Sequence, residues 1–234
     1  MVIVTGLAVA VYCFHKNTDT LWQIISQQCI PGMQKESDPA PCEQTDLDRG
    51  FAVLKDRNGL LQYLLLPMVR LPGIESPLLL QQSMPDFLSL AWQQRGVLAK
   101  KYGRAVPDQA IGVAINAASA RTQNQLHIHI SCLRPDIRYR LDQLTPRLTT
   151  LWQRERLGAQ VYLIRTLSEQ QQAQESSFIR LAQEVPDARM AMGEYGMALA
   201  SLSDGQMVLI AIRHSGFTFR SAEALLDHHC AILP

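Results

Sequence analysis

The sequence QLHIHISC at residues 125–132 alternates polar and apolar side chains without a break. Such alternation suits a strand with one buried face, because successive side chains of a strand point to opposite sides. The apolar positions are predicted to face a core, and the polar positions an open face or a cleft. The strand, predicted over residues 123–133, therefore places His127 and His129 side by side on its polar face.

The rest of the chain predicts an α+β fold. Hairpins are expected over residues 50–67, with Asn58-Gly59 as a type I′ turn, and over residues 196–213, with the turn at Asp204-Gly205. Apolar periodicity and caps predict helices over residues 18–29, 83–103, 176–192 (interrupted at Pro186) and 221–233, and a polar helical region after Leu133. Strands are predicted over residues 110–116 and 161–167. Turn residues predict loops over residues 31–48 and 71–82.

The two predicted hairpins share a layout, since a glycine lies eight residues before each turn and apolar runs follow both turns. A duplication that kept one histidine strand and a chance likeness of two common hairpins explain this equally well. With 234 residues, 47% of them apolar, the chain can bury a large core. We assign that core to one domain over residues 18–234.

The first fourteen residues, MVIVTGLAVAVYCF, carry no charge, and residues 1–17 are predicted to be a membrane anchor. A spanning helix needs about 20 apolar residues, so one interpretation of this shorter run is a signal anchor that starts upstream of Met1. The alternative is a buried or partly disordered N-terminal segment. The formal net charge of +1 gives no overall basic field for nucleic acid, so a charged ligand must be held by a local site.

Two cysteine pairs are candidate disulfides. Cys29 and Cys42 flank a polar, proline-rich segment, and closing that loop would stabilise the fold by about 3 kcal/mol in the chain-entropy model. Cys132 faces the predicted core and Cys230 lies on the apolar face of the predicted last helix, so they either bond or remain buried thiols. An oxidised Cys29–Cys42 pair would place the domain outside the cytosol.

Two imidazoles on one face of a strand suit attack on phosphorus. The unperturbed pKa of histidine, about 6.5, leaves the ring largely neutral and nucleophilic at pH 7. One ring can form a phosphoramidate while the other positions phosphate oxygens or transfers a proton. The competing interpretation is a zinc site, which needs a third ligand. Asp136, His228 and His229 are the candidates, and the local spacing favours none of them.

The strand resembles the histidine triad motif, His-φ-His-φ-His-φ-φ, where φ is apolar. The segments RTQNQLHIHISCLRPD, YLLLP, ESPLL, EVPDAR and DHHC, with Cys29 and Cys42, are similar to the CDP-diacylglycerol pyrophosphatases of the histidine triad superfamily, from about residue 21 to residue 234. The resemblance implies an α+β fold with an antiparallel sheet, and hydrolysis of CDP-diacylglycerol to CMP and phosphatidate without a cofactor. It also implies attachment to the bacterial inner membrane. With an N-terminal anchor and an oxidised Cys29–Cys42 pair, the catalytic domain is expected to be periplasmic.

Within this resemblance, His127 matches the middle histidine of the triad, which is the nucleophile, and His129 matches the third. The first position is Gln125, which can donate a hydrogen bond but carries no charge. A second register would make His129 the nucleophile, but the flanking RTQN and SCLRP favour the first. The predicted substrate-binding residues are Gln125, Asn116, Thr122, Asn124 and Arg121; Asn116 stands where this superfamily often places a ligand-binding asparagine.

Three other functions fit the same residues. The first is a hydrolase or transferase of a soluble nucleotide, for which we would expect a small polar cleft instead of an apolar groove. The second is a CDP-lipid-binding protein whose catalysis is weakened by Gln125. The third is a metal-binding protein that uses both histidines. Acyl-chain preference and self-association, including a homodimer, are left open by the sequence.

Overall fold

The computed structural model describes residues 17–214 and 221–234. The predicted anchor therefore lies outside the described residues, except for its last position. No described helix is long and apolar enough to cross a membrane.

The described residues form a ten-stranded sheet with helices on both faces. The strands are β1 Gln44–Asp46, β2 Phe51–Lys55, β3 Tyr63–Pro67, β4 Ile111–Ile115, β5 Ile128–Leu133, β6 Gln153–Leu157, β7 Gln160–Leu167, β8 Tyr195–Ser201, β9 Met207–Arg213 and β10 Leu226–Asp227. The α-helices are α1 Thr20–Ile24, α2 Ile30–Glu36, α3 Phe87–Gln93, α4 Gly96–Tyr102, α5 Pro135–Leu144, α6 Glu169–Gln174 and α7 Ser177–Glu184. A π-helical turn, Ile25–Cys29, joins α1 to α2.

The strands lie in the order β1-β2-β3-β5-β4-β8-β9-β7-β6, and β10 pairs with β5. Every pairing is antiparallel. One face of the sheet packs against α3, α4 and α7 in the largest core cluster. The other face packs against α5 and, at the β1 end, against α1 and the π-helical turn. The α+β fold with an antiparallel sheet and packed helices is thus confirmed.

The strand order repeats within the chain. Inside the edge strand β1, the first half runs β2-β3-β5-β4 toward the centre, and the second half runs β6-β7-β9-β8 from its own edge toward the centre. In each half, two strands are followed by two helices and then by two more strands. This supports a duplication, but it matches the second predicted hairpin, β8–β9, to β4–β5 instead of to β2–β3. The counterpart of the histidine strand is then β9, MVLIAIR, which contains no histidine.

The first hairpin differs from its prediction, because residues 56–62 form a seven-residue loop. Lys55 Nζ donates to the carbonyls of Asp56 and Gly59, and Leu61 N–H donates to the carbonyl of His228. The prediction of a two-residue turn at Asn58-Gly59 is therefore wrong. Leu61, predicted as strand, is instead tied to a distant segment.

The final segment also differs. Residues 221–233 were predicted to form one helix, but they form a 3-10 turn, Glu223–Leu225, followed by β10 and further turns. The carboxylate of Asp227 accepts the backbone N–H groups of His229 and Ala231 in the turns that follow β10. We call residues 221–230 the C-terminal strap.

Two helix boundaries are corrected as well. The helix predicted to end at Cys29 continues to Glu36, because the π-helical turn Ile25–Cys29 leads into α2 without leaving helical backbone conformation. The helix predicted over residues 83–103 is split into α3 and α4. It begins after Asp86, whose side chain caps α3 and also accepts from Ser177 on α7.

The second hairpin and the break near Pro186 agree with their predictions. Asp204-Gly205 lies between β8 and β9, with Gly205 at φ +87, and α7 ends at Glu184. Strands β1 and β6 were not predicted.

Candidate active site

A cleft of about 590 Å³ opens between the histidine strand, the 56–62 loop, α1 and the C-terminal strap. It lies on the face of the sheet that packs against α1 and the π-helical turn. Its polar lining includes His127, His129, Asn116, Arg121, Thr122, Gln123, Lys55, Asp56, Gln62, Glu223 and His228, and its apolar lining includes Leu21, Ile24, Leu54 and Leu64.

His127 immediately precedes β5 and lines the cleft, half-buried. Its Nδ1 lies 2.7 Å from the backbone carbonyl oxygen of Gln125. Because a carbonyl can only accept, Nδ1 must carry the proton, and Nε2 then presents a lone pair. Burial lowers the pKa of His127 from its usual value, although the carbonyl of Gln125 and the charge of Glu223 raise it in part. The neutral, nucleophilic form is therefore favoured at neutral pH.

His129 lies in β5 and is 6% exposed. Its Nδ1 lies 2.8 Å from Nε2 of Gln62, and the same amide nitrogen donates to Asp56 at 3.1 Å. Gln62 is thus the donor, Nδ1 of His129 is the acceptor, and the proton lies on Nε2. That Nε2 is buried and has no hydrogen-bond partner among the described residues. Burial, followed by His127 and His228, lowers the pKa of His129 well below its usual value.

The two imidazole rings stand 5.2 Å apart between centroids, at an interplanar angle of 71°. One ring presents a lone pair at Nε2, and the other has an unpartnered N–H at Nε2. A nucleophile beside a hydrogen-bond donor is the pair of groups needed for displacement at a phosphoryl centre. The pattern of alternation correctly predicted that these two side chains share one site.

Gln125 behaves differently from its prediction. Strand pairing begins only at Ile128, and the side chain of Gln125 is fully buried outside the cleft. Its Nε2 donates to the carbonyls of Pro67 and Val69 at 3.0 Å, and its Oε1 accepts from Leu71 N–H at 3.2 Å. The side chain supports the backbone instead of facing the phosphates, and only its main-chain carbonyl serves the site.

The other predicted binding residues differ in their positions relative to the cleft. Thr122 is exposed at the cleft, and Arg121 lines it but forms a two-pronged ion pair with Glu75, at 2.6 and 2.7 Å. Asn124 lies outside the cleft lining and bonds to Thr18 near the start of α1.

Asn116 lines the cleft, but its side chain is bonded to the C-terminal strap. Its Oδ1 accepts from Ser221 Oγ and Glu223 N–H, and its Nδ2 donates to Glu223 Oε2 at 2.6 Å. The strap thereby brings Glu223 and His228 beside His129. Neither of these was among the predicted site residues, although His228 was considered as a zinc ligand.

No group of three or more metal-binding side chains occurs among the described residues. His228 contacts Glu223 and the ring of His129.

A family model described as CDP-diacylglycerol pyrophosphatase matches residues 16–234. The chain belongs to the CDP-diacylglycerol pyrophosphatase family. It is a phosphoanhydride hydrolase, and its reaction is the hydrolysis of CDP-diacylglycerol to CMP and phosphatidate.

A CDP-diacylglycerol pyrophosphatase must accommodate a charged diphosphate and an apolar glycerolipid in one place. The cleft offers both kinds of lining, since the apolar side chains of α1, β2 and β3 border the polar groups around the histidines. The mixed polar and apolar lining of this cleft therefore suits the substrate of the family better than a small, wholly polar cleft would.

Both candidate disulfides of this family member are formed. Cys29–Cys42 ties the helical turn before α2 to the loop preceding β1, with 5.7 Å between Cα atoms. Cys132–Cys230 ties β5 to the C-terminal strap, with 5.1 Å between Cα atoms and a separation of 98 residues. The second bond lies directly behind the histidine strand, because Cys132 faces the side of the sheet opposite His129.

Proposed function

We propose that the chain hydrolyses CDP-diacylglycerol by covalent catalysis, with His127 as the nucleophile. Nε2 of His127 attacks the cytidylyl phosphorus, the bond from that phosphorus to the bridging oxygen breaks, and phosphatidate leaves with the electron pair. The oxygen of a water molecule then attacks the same phosphorus and the P–N bond breaks with its electron pair on Nε2. One proton of the water passes to solvent, so CMP leaves and His127 is again neutral. The observation that carries this proposal is the 2.7 Å hydrogen bond to Gln125, which leaves Nε2 unprotonated.

His129 is the proposed electrostatic partner. Its Nε2–H donates to a phosphoryl oxygen on which negative charge increases during the displacement. Burial of that unpartnered donor supports the role, because an unpaired buried N–H costs free energy until a ligand satisfies it. Thr122, exposed at the rim, is proposed to contact the phosphates as well. These roles correspond to those of the histidine triad superfamily, to which we propose the fold belongs.

The lipid portion of the substrate is proposed to lie against Leu21, Ile24 and Leu64. These side chains border the histidines. Because they are apolar, they could not form hydrogen bonds or ion pairs with a second, charged nucleotide. The apolar border is the feature that favours CDP-diacylglycerol over a soluble nucleotide as substrate.

We further propose that the domain works at the periplasmic side of a bacterial inner membrane, held by residues 1–17. Two disulfides support an oxidising compartment, since such bonds are rare in the cytosol. Self-association into a homodimer stays a prediction.

The first test is release of CMP from CDP-diacylglycerol by the detergent-solubilised protein and by His127→Ala. We expect His127→Ala to lose activity on the order of 10⁶-fold, the scale observed when an enzymatic nucleophile is removed. His229→Ala is the matched control, because His229 is exposed and lies outside the cleft lining. Comparable CMP release by His127→Ala and the native protein would exclude the covalent mechanism through this residue.

A further inference from the structure

The C-terminal strap is fixed to the histidine strand by several independent contacts. Strand β10 pairs Asp227 with Cys132, the Cys132–Cys230 disulfide follows, and Ser131 Oγ donates to the carbonyl of Asp227 at 3.2 Å. At its other end, Asn116 holds Glu223 through both the backbone and the side chain. Side chains of the strap are therefore held at fixed positions in the cleft.

Two of these side chains meet the histidine pair. Oε1 of Glu223 lies 3.3 Å from Nδ1 of His129 and 3.3 Å from Nε2 of His228. The ring of His228 lies parallel to that of His129, with 6.2 Å between centroids and an angle of 4°. A carboxylate thus lies between two imidazoles, one of which flanks the proposed nucleophile.

The charges around the cleft make this carboxylate important. The groups that face His127 are His129, Arg121, Asp56 and Glu223. Arg121 is neutralised by Glu75. Attack by Nε2 of a ring that keeps its Nδ1–H turns His127 into a phosphorylated imidazolium, and a fixed carboxylate nearby stabilises the positive charge that forms.

We propose that Glu223 and His228 are positioning residues of the active site, with Glu223 opposing the positive charge that forms on His127 and His228 holding the ring of His129 in place. His228 then supplies the third imidazole of the cleft, from a different part of the chain than the triad position filled by Gln125. Hydrogen bonds to Asn116 hold Glu223, and the ring of His228 lies 3.3 Å from Oε1 of Glu223 and parallel to the ring of His129. The inference rests on the proposed role of His127.

The test compares Glu223→Gln and His228→Gln with His229→Gln, a matched change at the adjacent exposed residue. Glu223→Gln keeps the size of the side chain and an oxygen for Asn116, and it removes the charge. We expect its kcat for CMP release to fall about 100-fold with KM changed less than about threefold, as for the loss of a transition-state interaction. His228→Gln should lower kcat about tenfold, and His229→Gln should leave it unchanged. In Glu223→Gln, the His228→Gln change should add little further loss, because the two residues act together.

The pH profile separates an electrostatic role from a structural one. Glu223 raises the pKa of His127, so Glu223→Gln should shift the acid limb of kcat/KM to lower pH, whereas Glu223→Asp should restore it toward the native position. If His127→Ala is inactive but Glu223→Gln keeps the native kcat and the native acid limb, the proposal for Glu223 and His228 is wrong. If His127→Ala is active, the proposed function of His127 is itself wrong. If Glu223→Gln fails to fold, an unchanged kcat in His228→Gln overturns the proposal, because that change leaves the backbone contacts of the strap intact.

Discussion

At the scale of single residues, Gln125 affects the protein through its backbone and its side chain in separate ways. The carbonyl oxygen fixes the tautomer of His127, and the amide group ties together the backbone of residues 67–71. An imidazole has one donor and one acceptor in its neutral form, so histidine at this position could not satisfy all three backbone groups. The glutamine is accordingly a structural requirement of this chain and no evidence of lost catalysis.

Gln125→Leu should therefore destabilise the fold. Leucine has a similar size but leaves the buried N–H of Leu71 and two carbonyls without their partner, and we expect the free energy of unfolding to fall by about 1–3 kcal/mol. Urea denaturation measures this change. Gln82→Leu, at an exposed position, is the control. Equal stability of the two variants would contradict the structural role of Gln125.

The alternation of residues 125–132 could predict the histidine pair, because the two side chains of a strand at i and i+2 share a face whatever surrounds them. It could not predict the contacts of Gln125, since strand pairing begins only at Ile128. Glu223 had no signal in the sequence, because a single carboxylate in a polar segment is usually exposed to solvent.

At the scale of elements, the cleft depends on how the 56–62 loop rests on the C-terminal strap. A Cβ atom at Gly59 would lie 2.4 Å from Cβ of His228 and 2.9 Å from its carbonyl oxygen. The backbone of Gly59 also has φ +75, a conformation that favours glycine. Only glycine lets the loop approach the strap this closely.

Gly59→Ala is expected to displace His228 and lower kcat for CMP release. Gly50→Ala provides the matched control, because Gly50 has nearly the same backbone, φ +72, and nothing within 4 Å of the added methyl group. Both changes carry a similar backbone penalty of about 1 kcal/mol, so a loss of activity confined to Gly59→Ala measures the contact with His228. Equal kcat in the two variants would contradict the role of this contact.

The prediction of a C-terminal helix was wrong because contacts with distant residues, which local sequence patterns do not show, determine this segment. The apolar residues Ala222, Leu226 and Cys230 recur at helical spacing, but each is buried separately by a turn, by pairing with β5 and by a disulfide. Tertiary contacts determined this segment, as they did for the loop after Lys55. Local patterns succeeded where turn residues dominate, as at Asp204-Gly205.

At the scale of the whole molecule, the two disulfides differ in the length of chain that each closes. Cys29 and Cys42 are 13 residues apart, whereas Cys132 and Cys230 are 98 apart, and all four side chains are buried. In the chain-entropy model, bonds closing loops of these sizes stabilise the native state by about 3 and about 4.7 kcal/mol, respectively.

Replacing Cys132 and Cys230 together by alanine should therefore lower the free energy of unfolding more than replacing Cys29 and Cys42, by about 1–2 kcal/mol in the same model. Chemical denaturation of the two double variants under identical conditions gives the comparison. A larger loss from the Cys29 and Cys42 pair would show that chain entropy does not govern the difference.

The long separation between the histidine strand and the strap also sets an order of events during biosynthesis. Ribosomes add residues 127 and 129 about a hundred positions before the strap, so a nascent chain carries both histidines while the wall formed by Glu223 and His228 does not yet exist. The nucleophile is thus assembled early and its electrostatic surroundings late. Until the strap has docked and Cys230 has bonded to Cys132, the histidine pair lacks the fixed carboxylate of Glu223 beside it.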